Sequence, residues 1–415
     1  MFQLGIERLI EDQDLKQALR GRRCAFLGHH ASVDRRLRHS LSRLIREPDI
    51  DIVCAFGPQH GMRGEKQDNM IESEDYVDPH FGLPVYSLYG STRRIPERLR
   101  GSFDVLLVDL QDIGSRVYTY LTTLAYVLED LSASSPQGER AAEEVWVLDR
   151  PNPAGRLIEG HRLQDGWESF IGAMPVPMRH GLTLGELAEW YLRRRSLDVR
   201  LRVVPMTDYR PEEEIRSGIT DSGAPGWPAE LSWVNPSPNI PEPLTAQLYS
   251  GTVLFEGTTL SEGRGTTKPF HLFGAPELPA DALLGELQSR TPQLCAAARI
   301  RELFFEPTFE KQSGRLCRGL HFHLDYPEYE PRHFRPYRLV AVVLGILREW
   351  YPDWAFWREP PFEYEYERMP IDLLAGGPRL RQWVEGSEHD IEELEAELSS
   401  EERAWESERR AFLRY

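Results

Sequence analysis

Short apolar runs alternate with helical patterns through the first half of the chain. Strands are predicted near 23–28, 50–56, 84–88, 104–109, 145–149 and 201–205, each a burst of apolar or β-branched residues. Between them, apolar positions recur at helical spacing from Tyr118 to Leu131 and from Leu184 to Arg194. The second helix opens with Thr183-Leu-Gly-Glu186, a capping box in which hydroxyl and carboxylate satisfy the first free amides. This alternation predicts an α/β fold with a mostly parallel sheet and flanking helices on both faces.

The pattern changes after Trp227 to Pro243, a stretch rich in Pro, Asn and Ser that reads as an extended crossover. Beyond it, Gly251 to Phe255 reads as a strand, and Arg299 to Phe305, Cys317 to Leu324 and Glu363 to Arg368 alternate like half-exposed strands. Tyr337 to Trp350 has the period of an amphipathic helix. The expected division is therefore an N-terminal domain over 1–240 and a smaller α+β C-terminal domain over 241–415. From Ser387 to Tyr415 ten acids face four basic residues, with apolar positions at helical spacing, which predicts an acidic, solvated helix lying on the body.

The net charge of −17 excludes the basic face that nucleic acid requires and disfavours anionic membranes. Cys24, Cys54, Cys295 and Cys317 have no short pairing, so neither a disulfide framework nor a zinc knuckle is expected. The acidic N-terminus lacks a signal-peptide core and no run reaches the ~18 apolar residues of a membrane span. A cytoplasmic protein is expected; the oligomeric state stays open.

Candidate chemistry sits where the strands stop. Gly57-Pro-Gln-His-Gly-Met-Arg-Gly64 follows the second strand and offers Gln59, His60 and Arg63, with Glu65 and Glu72 beyond. Strand ends in parallel sheets face a crevice, and glycines let backbone amides approach a ligand. Asp109 closes the next strand as an expected half-buried carboxylate of raised pKa, followed by Gln111, Asp112 and Arg116. Gln and Asp suit sugar hydroxyls and Arg suits a planar carboxylate, although Asp112 and Arg116 could equally pair to hold the turn. Asp149-Arg-Pro-Asn-Pro153 is a stiff turn that could aim Asn152. Glu256-Gly-Thr-Thr-Leu-Ser-Glu-Gly-Arg-Gly-Thr266 brings Glu256, Glu262 and Arg264 into one glycine-rich segment. It is neither a Walker loop nor a dinucleotide fingerprint, and it reads as a source of acid or base carboxylates. His321 and His323 form a close pair without the frame of a zinc site. No nucleophile elbow is present.

Six of these segments, in order, resemble the exo-β-N-acetylmuramidase (NamZ) family of glycoside hydrolases, formerly a domain of unknown function. They are Gly57 to Gly64, Asp109 to Tyr120, Leu148 to Pro153, Arg179 to Leu187, Ser237-Pro-Asn239 and Phe255 to Thr266. The likeness runs from about residue 20 to the C-terminus. It implies a Rossmann-like N-terminal domain, a smaller C-terminal domain and a cleft between them. It also implies release of N-acetylmuramic acid from the non-reducing end of glycan fragments, without nucleotide or metal. The chain departs from the family in carrying Gln59 where a glutamate is usual, and an amide cannot exchange a proton as a carboxyl does.

The expected working carboxylates are therefore among Glu65, Asp112, Glu256 and Glu262. Arg63, Arg116 or Arg264 would clamp the lactyl carboxylate of an amino-sugar substrate. Gln59, His60, Asp109, Gln111, Asn152, His180 and Asn239 would contact or orient the sugar. The alternative is a muramic-acid or amino-sugar binding protein that has lost the chemistry at position 59.

Overall fold

The structure is a computed structural model and describes residues 1–64, 66, 71–132, 144–211, 224–386 and 389–415. Its main sheet contains β1 (Arg23–Gly28), β2 (Asp51–Gly57), β3 (Tyr76–Val77), β4 (Pro84–Ser87), β5 (Val105–Asp109), β6 (Glu144–Leu148) and β9 (Arg200–Val204). The order is β3-β4-β2-β1-β5-β6-β9, and every pairing is parallel except β3 with β4. β5 is buried at all five positions and β1 at all but its first. Helices on both faces demand this, so such strands read as continuous apolar runs.

Apolar clusters cover the two faces separately. One packs the N-terminal helix Gly5–Glu11 and Phe26, Leu107 and Trp146. The other packs helices Thr119–Ser132 and Leu184–Arg195 against Leu106 and Val108, and continues without a break into Leu254, Leu339 and Trp405. The chain's two halves thus share one core. The capping box at Thr183 and Glu186 forms as the sequence requires.

A short antiparallel pair, β7 (Glu159–Arg162) with β8 (Pro177–Arg179), follows β6. The second half carries an antiparallel sheet of β10 (Leu272–Ala275), β12 (Cys317–His323) and β11 (Arg299–Phe305), in that order. Helix Pro336–Trp350 is buried over most of its length.

Two expected strands are not strands. Gly251 to Phe255 lies at the end of helix Pro243–Thr252 and in the 3-10 turn Val253–Gly257 that continues it. A short apolar run cannot by itself separate buried helix from buried strand. Glu363 to Arg368 is instead a tight turn closed by hydrogen bonds between Phe362 and Glu365, with Glu363 and Tyr364 left-handed at φ 46° and 69°.

The acidic C-terminal helix Ile391–Arg409 buries Leu394, Leu398 and Trp405, and its acids are less solvated than expected. Glu395 and Glu402 hold Arg338, and Glu397 and Glu401 hold Arg379. Among the described residues no helix is long and apolar enough to cross a membrane.

Candidate active site

Strand order reverses direction at β1, whose neighbours are β2 on one side and β5 on the other. The carboxyl ends of strands beside such a switch point open a crevice. A narrow cleft lies here, with about 40 Å³ of space for water-sized molecules. The loop after β2 contributes Gln59 and His60, and the start of the helix after β5 contributes Tyr118, Thr119 and Tyr120. The second half contributes Ser237, Ile240, Tyr249, Glu256, Arg264, Phe270, Phe362 and Glu363.

One wall is an ion-pair chain. Arg264 meets Glu256 at 2.6 Å and Glu262 at 3.1 Å, and Lys311 meets Glu262 at 2.6 Å. The Lys311 ammonium also donates to the carbonyls of Phe255 and Thr258, which fixes it under the loop. Burial opposes the charge on Glu262, but Lys311 and Arg264 outweigh it and hold that carboxyl below its ordinary pKa. Burial likewise opposes the Arg264 charge, and the two glutamates outweigh it. The guanidinium lies 4.9 Å from the centre of the Phe270 ring.

The opposite wall is a chain of neutral groups ending in a carboxyl. Thr119 Oγ1 donates to Gln59 Oε1 at 2.6 Å, so the Gln59 amide nitrogen faces the other way. It donates to Glu363 Oε1 at 3.3 Å and to the Tyr89 hydroxyl at 3.2 Å. Tyr89 in turn donates to Glu363 Oε2 at 2.9 Å. Glu363 is 5% exposed. Burial pushes its carboxyl up to about 7; the Tyr89 hydroxyl works against the rise, and Glu256 adds to it. Tyr364, next in the turn, donates to Glu72 at 3.1 Å and lies under the Arg93 guanidinium.

Of the sequence candidates, Gln59, His60, Glu256 and Arg264 line the cleft, and Glu262 stands behind Arg264. His60 is held left-handed at φ 67°, with Nδ1 2.9 Å from the Lys66 carbonyl oxygen. Gly64, also left-handed, lies where a Cβ would come within 1.9 Å of the His30 ring, so the loop can close there only as glycine. Asn239 lies between two lining residues, Ser237 and Ile240. Glu65 falls outside the described residues.

The remaining candidates are placed elsewhere. Arg63 is half exposed in a neighbouring hollow, 3.7 Å from Asp78 and over the Tyr76 ring. Arg116 is fully buried, donating to the carbonyl of Leu374, itself a lining residue; burial brings its pKa down to about 10. Asp109 is wholly buried rather than half-buried, because Arg150 from the next strand end clamps both its oxygens. Gln111 spends its amide on the carbonyls of Asp112 and Pro151, and Asn152 spends its own on Leu182 and Ala154. Asp112 caps the Gly114 amide and faces His180 at 3.7 Å; Arg116 is engaged instead with Leu374. His321 and His323 both accept from Arg301, so a cation already occupies that face.

Sequence reading missed Glu363, Tyr89, Tyr118, Tyr249 and Lys311.

Comparison with known proteins adds to this geometry. Family models described as exo-beta-N-acetylmuramidase NamZ match at residues 24–244 (N-terminal) and 247–415 (C-terminal). A Bacillus subtilis (strain 168) protein, peptidoglycan beta-N-acetylmuramidase NamZ, is 35% identical over 388 residues, covering 92% of this chain and 84% of its own. A crystal structure of a DUF1343 family protein from Bacteroides fragilis NCTC 9343 superposes with TM-score 0.82 at 27% identity, covering 100% of this chain and 99% of its own. A second DUF1343 structure from that organism gives 0.71 at 24% identity over the same shares and speaks to the fold.

Proposed function

The chain belongs to the exo-β-N-acetylmuramidase NamZ family, and from that premise we propose that it releases N-acetylmuramic acid from the non-reducing end of peptidoglycan-derived glycan fragments. The observation that carries the reading is the pairing, in one cleft, of a carboxyl in neutral surroundings (Glu363) with a carboxylate held by a cation (Glu256). Glycoside hydrolysis needs a protonated acid at the leaving oxygen. It also needs a negative or polar group that helps water, or the sugar's own acetamido carbonyl, reach the anomeric carbon.

Tyr118 and Tyr249 give the cleft aromatic surface of the kind that packs against a pyranose ring. Of Arg63, Arg116 and Arg264, it is Arg264 that lines the cleft, and we assign it to the lactyl carboxylate that separates muramic acid from glucosamine. His60 would contact a hydroxyl, whereas His180 and Asp112 would support the loop behind it.

The test is turnover of a chromogenic β-N-acetylmuramide beside the matching β-N-acetylglucosaminide. Faster turnover of the muramide is expected; full turnover of the glucosaminide with none of the muramide would remove the substrate claim. A second reading, an amino-sugar binding or sensing protein, is favoured by Gln59 and would be supported by tight muramic-acid binding without turnover.

A further inference from the structure

We propose that Glu363 is the catalytic residue that protonates the leaving glycosidic oxygen, and that Gln59 and Tyr89 are positioning residues that aim it. This assignment rests on the hydrolase reading above.

The geometry is that of a built acid. Glu363 lines the cleft, and each of its oxygens is held by a neutral donor, Gln59 on one and Tyr89 on the other. Gln59 cannot rotate freely, because Thr119 fixes its other end. Two consecutive non-glycine residues in left-handed backbone, Glu363 and Tyr364, present the carboxyl from a turn. Such conformations cost ~1–3 kcal/mol each and persist where surrounding structure imposes them. The carboxyls across the cleft differ in kind: Glu256 and Glu262 each meet a guanidinium or an ammonium. A proton shared between these walls therefore belongs on Glu363.

In the step, the Glu363 O–H bond breaks and its proton passes to the glycosidic oxygen. The electron pair of the breaking C1–O bond stays on that oxygen, which departs as an alcohol. A water lone pair forms the new C1–O bond, directly or after the acetamido carbonyl has held C1, and the surplus water proton passes to Glu256. Exchange with solvent returns Glu256 to its anion and Glu363 to its acid.

An acid is needed most by a poor leaving group. Glu363→Gln should lower kcat/KM on an alkyl β-N-acetylmuramide by ~10²–10⁴-fold, and on the 2,4-dinitrophenyl glycoside by less than about tenfold. Equal losses on both substrates, or no loss on the alkyl glycoside, would overturn the assignment while leaving the hydrolase reading intact. Wild-type protein inert towards both would overturn the two together. Should Glu363→Gln fold poorly, the wild type decides. Its alkyl-glycoside rate should fall as pH rises through about 7 and its dinitrophenyl rate should not; identical profiles would contradict the assignment. Gln59→Ala should move that limb to higher pH, which a merely structural role would not do.

Discussion

On one wall of the cleft Glu256 meets Arg264 at 2.6 Å, and Glu262 meets Lys311 at the same distance. On the other wall Glu363 meets the phenol of Tyr89 and the amide of Gln59. All three glutamates are buried. Lys311 and Arg264 hold the Glu262 carboxyl below its ordinary pKa, whereas Gln59 and Tyr89 offer Glu363 dipoles rather than a full charge, so burial wins and pushes its carboxyl up to about 7. Two environments acting on one residue type give acid and anion side by side, a division of labour that glycosidases need.

The comparison breaks most severely at Arg264. Arg264→Met would leave Glu256 and Glu262 facing each other with Lys311 as remaining cation, and removing one partner of a buried ion pair costs ~3–5 kcal/mol. Urea unfolding should show a loss of that size, together with loss of muramide turnover.

Next is the stability of the neutral wall. In the unfolded chain a glutamate titrates near 4.5, and Glu363 in the folded chain near 7, so the folded state holds the extra proton between those values. Stability attributable to this group is therefore full below pH 4.5 and falls as pH rises to 7. Glu363→Gln should unfold at higher urea than wild type at pH 8, by up to about 3 kcal/mol, and match it at pH 4. The smallest effect is expected at Thr119→Val, which releases one end of Gln59. Loss of a single hydrogen bond should cost ~0.5–1.5 kcal/mol in urea unfolding at pH 7.

The two walls were unequally legible in the sequence. Glu256, Glu262 and Arg264 fall within one glycine-rich segment, so their meeting follows from chain proximity. Glu363 reaches Gln59 across 304 residues of chain, and its aromatic-acid alternation resembles the solvent face of a strand. Nothing local announces a left-handed turn there, since neither Glu363 nor Tyr364 is a residue that favours one.

The same limit explains Asp109. Its strand was plain, but the Arg150 that neutralises it comes from a different strand end. Parallel strands and the capping box at Thr183 were readable because their signals are local and periodic. Pairings between loops are set by the assembled sheet.

The most direct test is the titration of the Glu363 carboxyl itself. With ¹³C-labelled glutamate, the side-chain carboxyl resonance that disappears in Glu363→Gln should move with a midpoint near pH 7. A midpoint at or below 4.5, the ordinary glutamate value, would mean that the wall opposite Arg264 holds another anion and no acid.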